Sequence, residues 1–236
     1  MTNSNEIVEV VLVHGGWSDG SCWSKVILEL RKQDVCSSAA QLPLSGFSDD
    51  VVALCRHIES RSASEVILIG HSYGGAIITE VASRYKSIRG LVYVAASAPV
   101  AGQSFGDFMQ QHPSPVSFTL TPDRQGFLWA DQDMFAQVLA QDLSAEECEL
   151  LHAVQKPVAA TILGDAISSE GWRHRPSWYV VADEDRLFAA ADQRQLAKQI
   201  GAKVTSLASA HFVPRSRPTE LTEVICSVIR STATTI

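Results

Sequence analysis

The chain predicts an α/β fold: a mostly parallel sheet flanked by helices, with an inserted helical cap. Three observations predict it. Short, almost continuously apolar runs alternate with helix-period segments. The composition changes between residues 99 and 175 and then returns to the earlier pattern. One apolar run, Val66-Ile67-Leu68-Ile69, leads straight into Gly70-His71-Ser72-Tyr73-Gly74-Gly75 and then into a helical pattern. Strands buried on both faces read as unbroken apolar runs because neither face meets water, and such runs separated by helices belong to parallel sheets.

In chain order, Ile7 to Val13 predicts the first strand, Trp23 to Gln33 a helix, and Val35 to Leu42 a short second strand. A helix follows at Asp49 to Arg61, then the strand Glu65 to Ile69, a helix opening with Ala76-Ile77-Ile78, and a strand at Gly90 to Ala95. Residues 1–98 thus form the first part of the core. Residues 99–175 mix Gln, Pro, Asp and aromatics with helical stretches at Asp133 to Gln141 and Ala145 to Gln155, which predicts the cap. Residues 176–236 complete the core with a strand at Ser177 to Ala182, a helix at Ala190 to Ile200, a strand at Lys203 to Leu207 and a last helix at Pro218 to Arg230. With 236 residues and no Pro/Gly/Ser-rich linker, one structural domain plus its cap is expected.

A net charge of −7 without clustered Lys and Arg argues against nucleic-acid binding. Five cysteines scattered without any Cys-x-x-Cys pair indicate neither a disulfide framework nor a zinc site. No apolar stretch is long enough to span a membrane, and no basic segment precedes an apolar run at the N-terminus. A cytoplasmic protein, monomer or homodimer, is the resulting expectation.

Gly-x-Ser-x-Gly alone is weak, since chance supplies it in roughly one chain in ten of this length at about 7% each of Gly and Ser. Its setting between a buried strand and a helix makes it specific. A serine in so sharp a turn is held in a strained conformation with its hydroxyl exposed above the sheet, which makes Ser72 the expected nucleophile. A neutral-pH serine needs a base, and His211 follows the strand ending at Leu207 in a loop of small residues. The base in turn needs a carboxylate. Asp183, Glu184 and Asp185 follow the strand ending at Ala182, and the order Ser, acid, His suits the arrangement; spacing leaves Asp183 and Asp185 as equal candidates. Two backbone N–H groups must face the developing oxyanion, and position points to Tyr73 and, in Val13-His14-Gly15-Gly16-Trp17, to Gly16. His14 is expected to shape that loop, and His71 to point to the other side of the turn. Trp17, Trp129 and Phe212 are expected against substrate, with Trp23, Phe127 and Phe135 as further pocket candidates.

With these residues in place, the chain resembles the α/β-hydrolase superfamily, in particular the small esterase-like branch of plant methyl-ester esterases, salicylate-binding esterase and hydroxynitrile lyases. The likeness covers nearly the whole chain and rests on Val11-Leu12-Val13-His14-Gly15-Gly16, Gly70-His71-Ser72-Tyr73-Gly74-Gly75, Tyr179 to Arg186 and Ala210-His211-Phe212. The resemblance, and not the spacing, selects Asp185 as the acid, because the branch uses the second acidic residue of a Glu-Asp-Arg or Glu-Asp-Lys stretch. Where lyases of the branch carry a threonine and a lysine, this chain has Gly15 and, after His211, Phe212-Val213-Pro214-Arg215. The implied function is cofactor-independent cleavage of small-molecule carboxylic esters or lactones through an acyl-enzyme. A lyase or perhydrolase reaction on the same triad, or a small-molecule binding protein on this fold, are the alternatives.

Overall fold

A computed structural model describes residues 8–61 and 63–233. Six strands form one sheet in the order β2-β1-β3-β4-β7-β8, every pair parallel. They are β1 (Val8–Val13), β2 (Cys36–Ala40), β3 (Glu65–His71), β4 (Ile88–Val94), β7 (Ser177–Ala182) and β8 (Lys203–Leu207). Between them run α1 (Ser24–Lys32), α2 (Phe47–Glu59), α3 (Gly74–Val81) and α7 (Ala190–Gln199). The short α8 (Val213–Ser216) and the long α9 (Pro218–Ala233) close the chain. Ile7, the first residue of the expected opening strand, lies outside the described residues.

The period-2 alternation of the strands decides which helix covers which face. Val11, Val13, Leu68, Leu91, Tyr93 and Val181 share a core with α2, α3 and α7, through residues such as Leu54, Ile77 and Leu196. Their alternates Val10, Leu12, Ile67, Val92 and Val180 share the other core with α1 and α9, through Leu30 and Ile225. Register agrees: Val10 pairs with Ile67, and Val11 with Leu68. A one-residue slip would exchange the two cores. Only the edge strands are polar, with Lys203, Val204, Thr205 and Ser206 exposed on β8 and Cys36 exposed on β2, as short unpaired edges tolerate.

Residues 99–175 lie over the carboxyl ends of these strands in short pieces: α4 (Phe105–Gln111), β5 (Phe127–Leu128), α5 (Gln132–Met134), α6 (Ala145–Ala153) and β6 (Val158–Ala159), with β5 and β6 antiparallel. Helix α4 was not expected from the sequence, although Ser104 and Asp107 satisfy each other's backbone N–H groups as a capping box. The expected helix Asp133 to Gln141 is instead three residues of α-helix followed by a π turn, Phe135–Leu139, which ends where Ala140 N–H reaches back five residues to Phe135 O at 2.9 Å. Among the described residues no helix is long and apolar enough to cross a membrane.

Candidate active site

The turn after β3 is as tight as the sequence implies. Ser72 has a φ of 54°. This left-handed conformation costs a non-glycine residue about 1–3 kcal/mol and persists only when its surroundings enforce it. Here they do: Ser72 N–H donates to Val94 O at 3.2 Å, and its carbonyl accepts from Gly75 N and Ser97 N. The flanking glycines are demanded by space. A Cβ on Gly70 would lie 2.7 Å from Gly74 O, and one on Gly74 would lie 2.7 Å from Val13 O.

His211 and Asp185 meet beside this turn. The imidazole Nδ1 donates to Asp185 Oδ2 at 2.7 Å, and both side chains are almost fully buried. The carboxylate is held by three further donors: Gln193 Nε2 on Oδ2 at 2.9 Å, and the Leu187 and Phe188 amides on Oδ1 at 2.8 and 2.9 Å. Four donors on one buried carboxylate offset its desolvation and fix its plane. Asp183, the competitor left open by spacing, is instead an exposed partner of Arg194. Arg215, four residues beyond His211, bonds Glu147 and Ser24 and is not among the residues that line the cavity with Ser72. Gln193 was not foreseen; its signal was a polar residue at the i position of an otherwise apolar i, i+3, i+4 face, Gln193-Leu196-Ala197.

The other histidines near the site are buried and neutral. His14 Nε2 accepts from Leu42 N–H at 3.0 Å, so its proton sits on Nδ1, which donates to Gly15 O at 2.9 Å. Burial lowers its pKa to about 4. It shapes the glycine loop, as expected. His71 donates Nε2–H to His211 O at 2.8 Å and packs its ring 4.9 Å from that of His211. Burial, aided by the neighbouring imidazole, brings its pKa to about 3. Tyr73 is anchored through its hydroxyl, which donates to Asp50 Oδ2 at 2.9 Å. Asp50 also accepts Leu44 N–H at 2.7 Å, and burial raises its carboxyl pKa to about 6.

Ser72 and His211 open onto one cavity of about 70 Å³, with Gly16 and Tyr73 on its wall. Trp17 lines it too, its indole N–H donating to Leu128 O at 3.1 Å. Most of the remaining wall comes from the cap: Phe105, Phe108 and Met109, an i, i+3, i+4 face of α4, together with Phe118 and Leu128. Among the described residues that line it, none is Asp, Glu, Lys or Arg. Two of the expected substrate contacts are elsewhere. Trp129 is 47% exposed and bonds Asp123, because the short strand that turns Leu128 inward turns its successor out. Phe212 is buried beneath the site, between His71 and Phe135, and Trp23 and Phe135 are likewise core residues.

A left-handed serine at a strand end, on the wall of the same cavity as an imidazole that is tied to a buried carboxylate, defines the serine-hydrolase class on a doubly covered parallel sheet. Comparison with known proteins agrees. Residues 10–224 match the Alpha/beta hydrolase family, and the chain belongs to it. It is 38% identical over 109 residues to a carbendazim hydrolyzing esterase of Nocardioides sp. (strain SG-4G), a match covering 40% of this chain and 44% of that protein. To norfluorocurarine synthase 2 of Strychnos sp it is 28% identical over 261 residues, with 97% of both chains covered. The crystal structure of polyneuridine aldehyde esterase superposes with a TM-score of 0.80 at 21% identity, covering 94% of this chain and 98% of that one, a likeness of fold.

Proposed function

We propose that the protein cleaves small, uncharged, apolar carboxylic esters or lactones by acyl transfer through Ser72. The observation that carries this reading is Ser72, strained at φ 54°, on the wall of the same cavity as His211, whose Nδ1 is fixed to Asp185. Ser72 Oγ attacks the ester carbonyl while His211 Nε2 takes its proton; the amides of Gly16 and Tyr73 receive the negative charge that forms on the carbonyl oxygen. His211 returns the proton to the departing alcohol oxygen, and the C–O bond breaks. A water then gives a proton to His211 as its hydroxide adds to the acyl carbon; the bond to Ser72 Oγ breaks as His211 passes that proton to Oγ, which releases the acid and restores Ser72. Asp185 keeps the imidazole in the Nδ1–H tautomer and stabilises the imidazolium.

The substrate class follows from the wall. A cavity without charged side chains and lined by Trp17, Phe105, Phe108 and Phe118 leaves a substrate carboxylate or ammonium unpaired, and burying such a charge is costly. Relatives named as esterases support hydrolysis. A fluorophosphonate probe with mass spectrometry, run beside p-nitrophenyl esters of increasing acyl length, tests the reading. The expected result is a single adduct on Ser72 and turnover that Ser72→Ala lowers by about four to six orders of magnitude. Retention of most activity in purified Ser72→Ala would refute it.

A further inference from the structure

His211 is gripped by its backbone as well as by its ring. Three main-chain groups frame it, and each has a partner outside its own loop. Ala210 N–H donates to Asp142 Oδ2 at 2.9 Å, Phe212 N–H donates to Leu139 O at 3.1 Å, and the His211 carbonyl accepts from His71 at 2.8 Å. Two of the three partners belong to the cap. Leu139 ends the π turn, a widened helical turn of the kind that is frequent at functional sites. Neighbours in the same stretch reach the acid loop: Gln141 Nε2 donates to Glu184 O at 2.6 Å, and Arg186 donates to Gln137 O at 3.1 Å.

Asp142 stands out in this group. Among the described residues its Oδ1 is buried without a partner, an arrangement that costs stability. Its Oδ2 is committed to the amide immediately before the base. Proton transfer from serine to imidazole tolerates little displacement, since a shift of about 1 Å can cost roughly 10²-fold in rate.

We propose that Asp142 is a positioning residue for the reaction: by holding Ala210 N–H it sets the His211 loop, and hence Nε2, against Ser72. The proposal rests on the reading of His211 as the base. It assigns to the cap a part in the rate of chemistry, in addition to the shape of the pocket.

The test measures kcat and KM on p-nitrophenyl acetate, the rate of fluorophosphonate labelling, and thermal unfolding for the wild type, Asp142→Ala, Asp142→Glu, Asp142→Asn and Ser72→Ala. Removing the acceptor in Asp142→Ala, or displacing it by a methylene in Asp142→Glu, is expected to lower kcat and the labelling rate about 10- to 100-fold, with KM within about 3-fold. Asp142→Asn keeps an oxygen for the same N–H and is expected to stay within about 5-fold of the wild type. Wild-type kcat in Asp142→Ala and Asp142→Glu, beside an inactive Ser72→Ala, overturns the positioning role and leaves the base in place. Activity in Ser72→Ala means that the underlying reading fails instead. If Asp142→Ala does not fold, the Glu and Asn variants decide: Asn no better than Glu, or Glu equal to the wild type, overturns the proposal.

Discussion

The sheet and the cap solve different problems with different materials. Ser72 and Asp185 follow β3 and β7, each paired on both sides, while His211 follows the edge strand β8, paired on one side to β7, and helices cover both faces of the sheet that carries all three. The cap has no such lattice. Its pieces are short, its one strand pair is two residues long, and it is tied down by side-chain contacts such as Lys156 to Leu42 O and Trp17 to Leu128 O. The difference teaches where to expect rate and where to expect selectivity: the strand ends carry the groups proposed to react, and the cap supplies half of the residues that line the cavity.

The sharpest way to break that division is at the acid. Asp185→Asn is expected to lower kcat by about 10³- to 10⁴-fold, because an amide can no longer hold the required imidazole tautomer, while Asp183→Asn changes it by less than about 3-fold. Equal losses from the two variants would mean that the strand-end geometry does not select the acid. On the cap side, Phe108 stacks on Phe105 at 6.0 Å and meets Phe188 edge-on at 5.4 Å. Phe108→Ala is expected to lower stability by about 3–5 kcal/mol and to raise KM about 10-fold, with kcat within about 3-fold. A fall in kcat with KM unchanged would erase the distinction; Asp142 is the one cap side chain assigned such an effect.

Legibility followed the same line. Strands β1, β3 and β7 and the serine turn were readable because buried parallel strands leave unbroken apolar runs and the turn demands glycines at set positions. Asp185 over Asp183 was not readable from spacing; it needed a resemblance, since two loop carboxylates two residues apart differ only in which one the following amides of Leu187 and Phe188 cap. Residues 99–175 were legible only as a change of pattern between β4 and β7. Nothing periodic distinguishes Phe108, which lines the cavity, from Phe135, which lies in the core beneath it. Polar supports such as Asp50 and Asp142 were invisible because their contacts lie 23 and 68 residues away in sequence, whereas Gln193 left only the trace of a polar residue on an apolar helix face.

Beneath the serine turn, the buried neutral histidines predict how the floor responds to acid. In the unfolded chain His14 and His71 take up a proton near pH 6.5, whereas in the folded protein they do so only near pH 4 and 3. Between those limits unfolding binds protons, so stability falls as pH is lowered. Asp50 works in the opposite sense: folded, it holds its proton up to about pH 6, while the unfolded chain releases it near 3.8, so acidification relieves the cost of its burial. Two groups against one leave a net loss, on the order of 2 kcal/mol between pH 7 and 5. Urea midpoints at the two pH values measure it. Asp50→Asn, which removes the opposing group, is expected to enlarge the loss; an unchanged or smaller loss would show that Asp50 is not protonated in the folded state.

The smallest effect is expected at Trp129, and its smallness is informative. Composition alone makes a cap tryptophan an attractive substrate contact, yet the indole is nearly half exposed and its N–H is taken by Asp123 Oδ2 at 3.0 Å. Its predecessor Leu128 faces the cavity, is 5% exposed, and pairs with Val158 in the two-residue strand pair. Successive residues of an extended segment point to opposite sides, so both cannot reach the substrate. Trp129→Ala should therefore leave kcat/KM within about 2-fold and stability within about 1 kcal/mol, while Leu128→Ala, cutting into the wall, should cost about 2–5 kcal/mol and raise KM several-fold. A loss of kcat/KM beyond about 10-fold in Trp129→Ala would place the indole over the substrate during turnover. The cap would then close by a rotation of this segment, and the division between a rigid floor and a fixed wall would have to give way to one between a rigid floor and a moving lid.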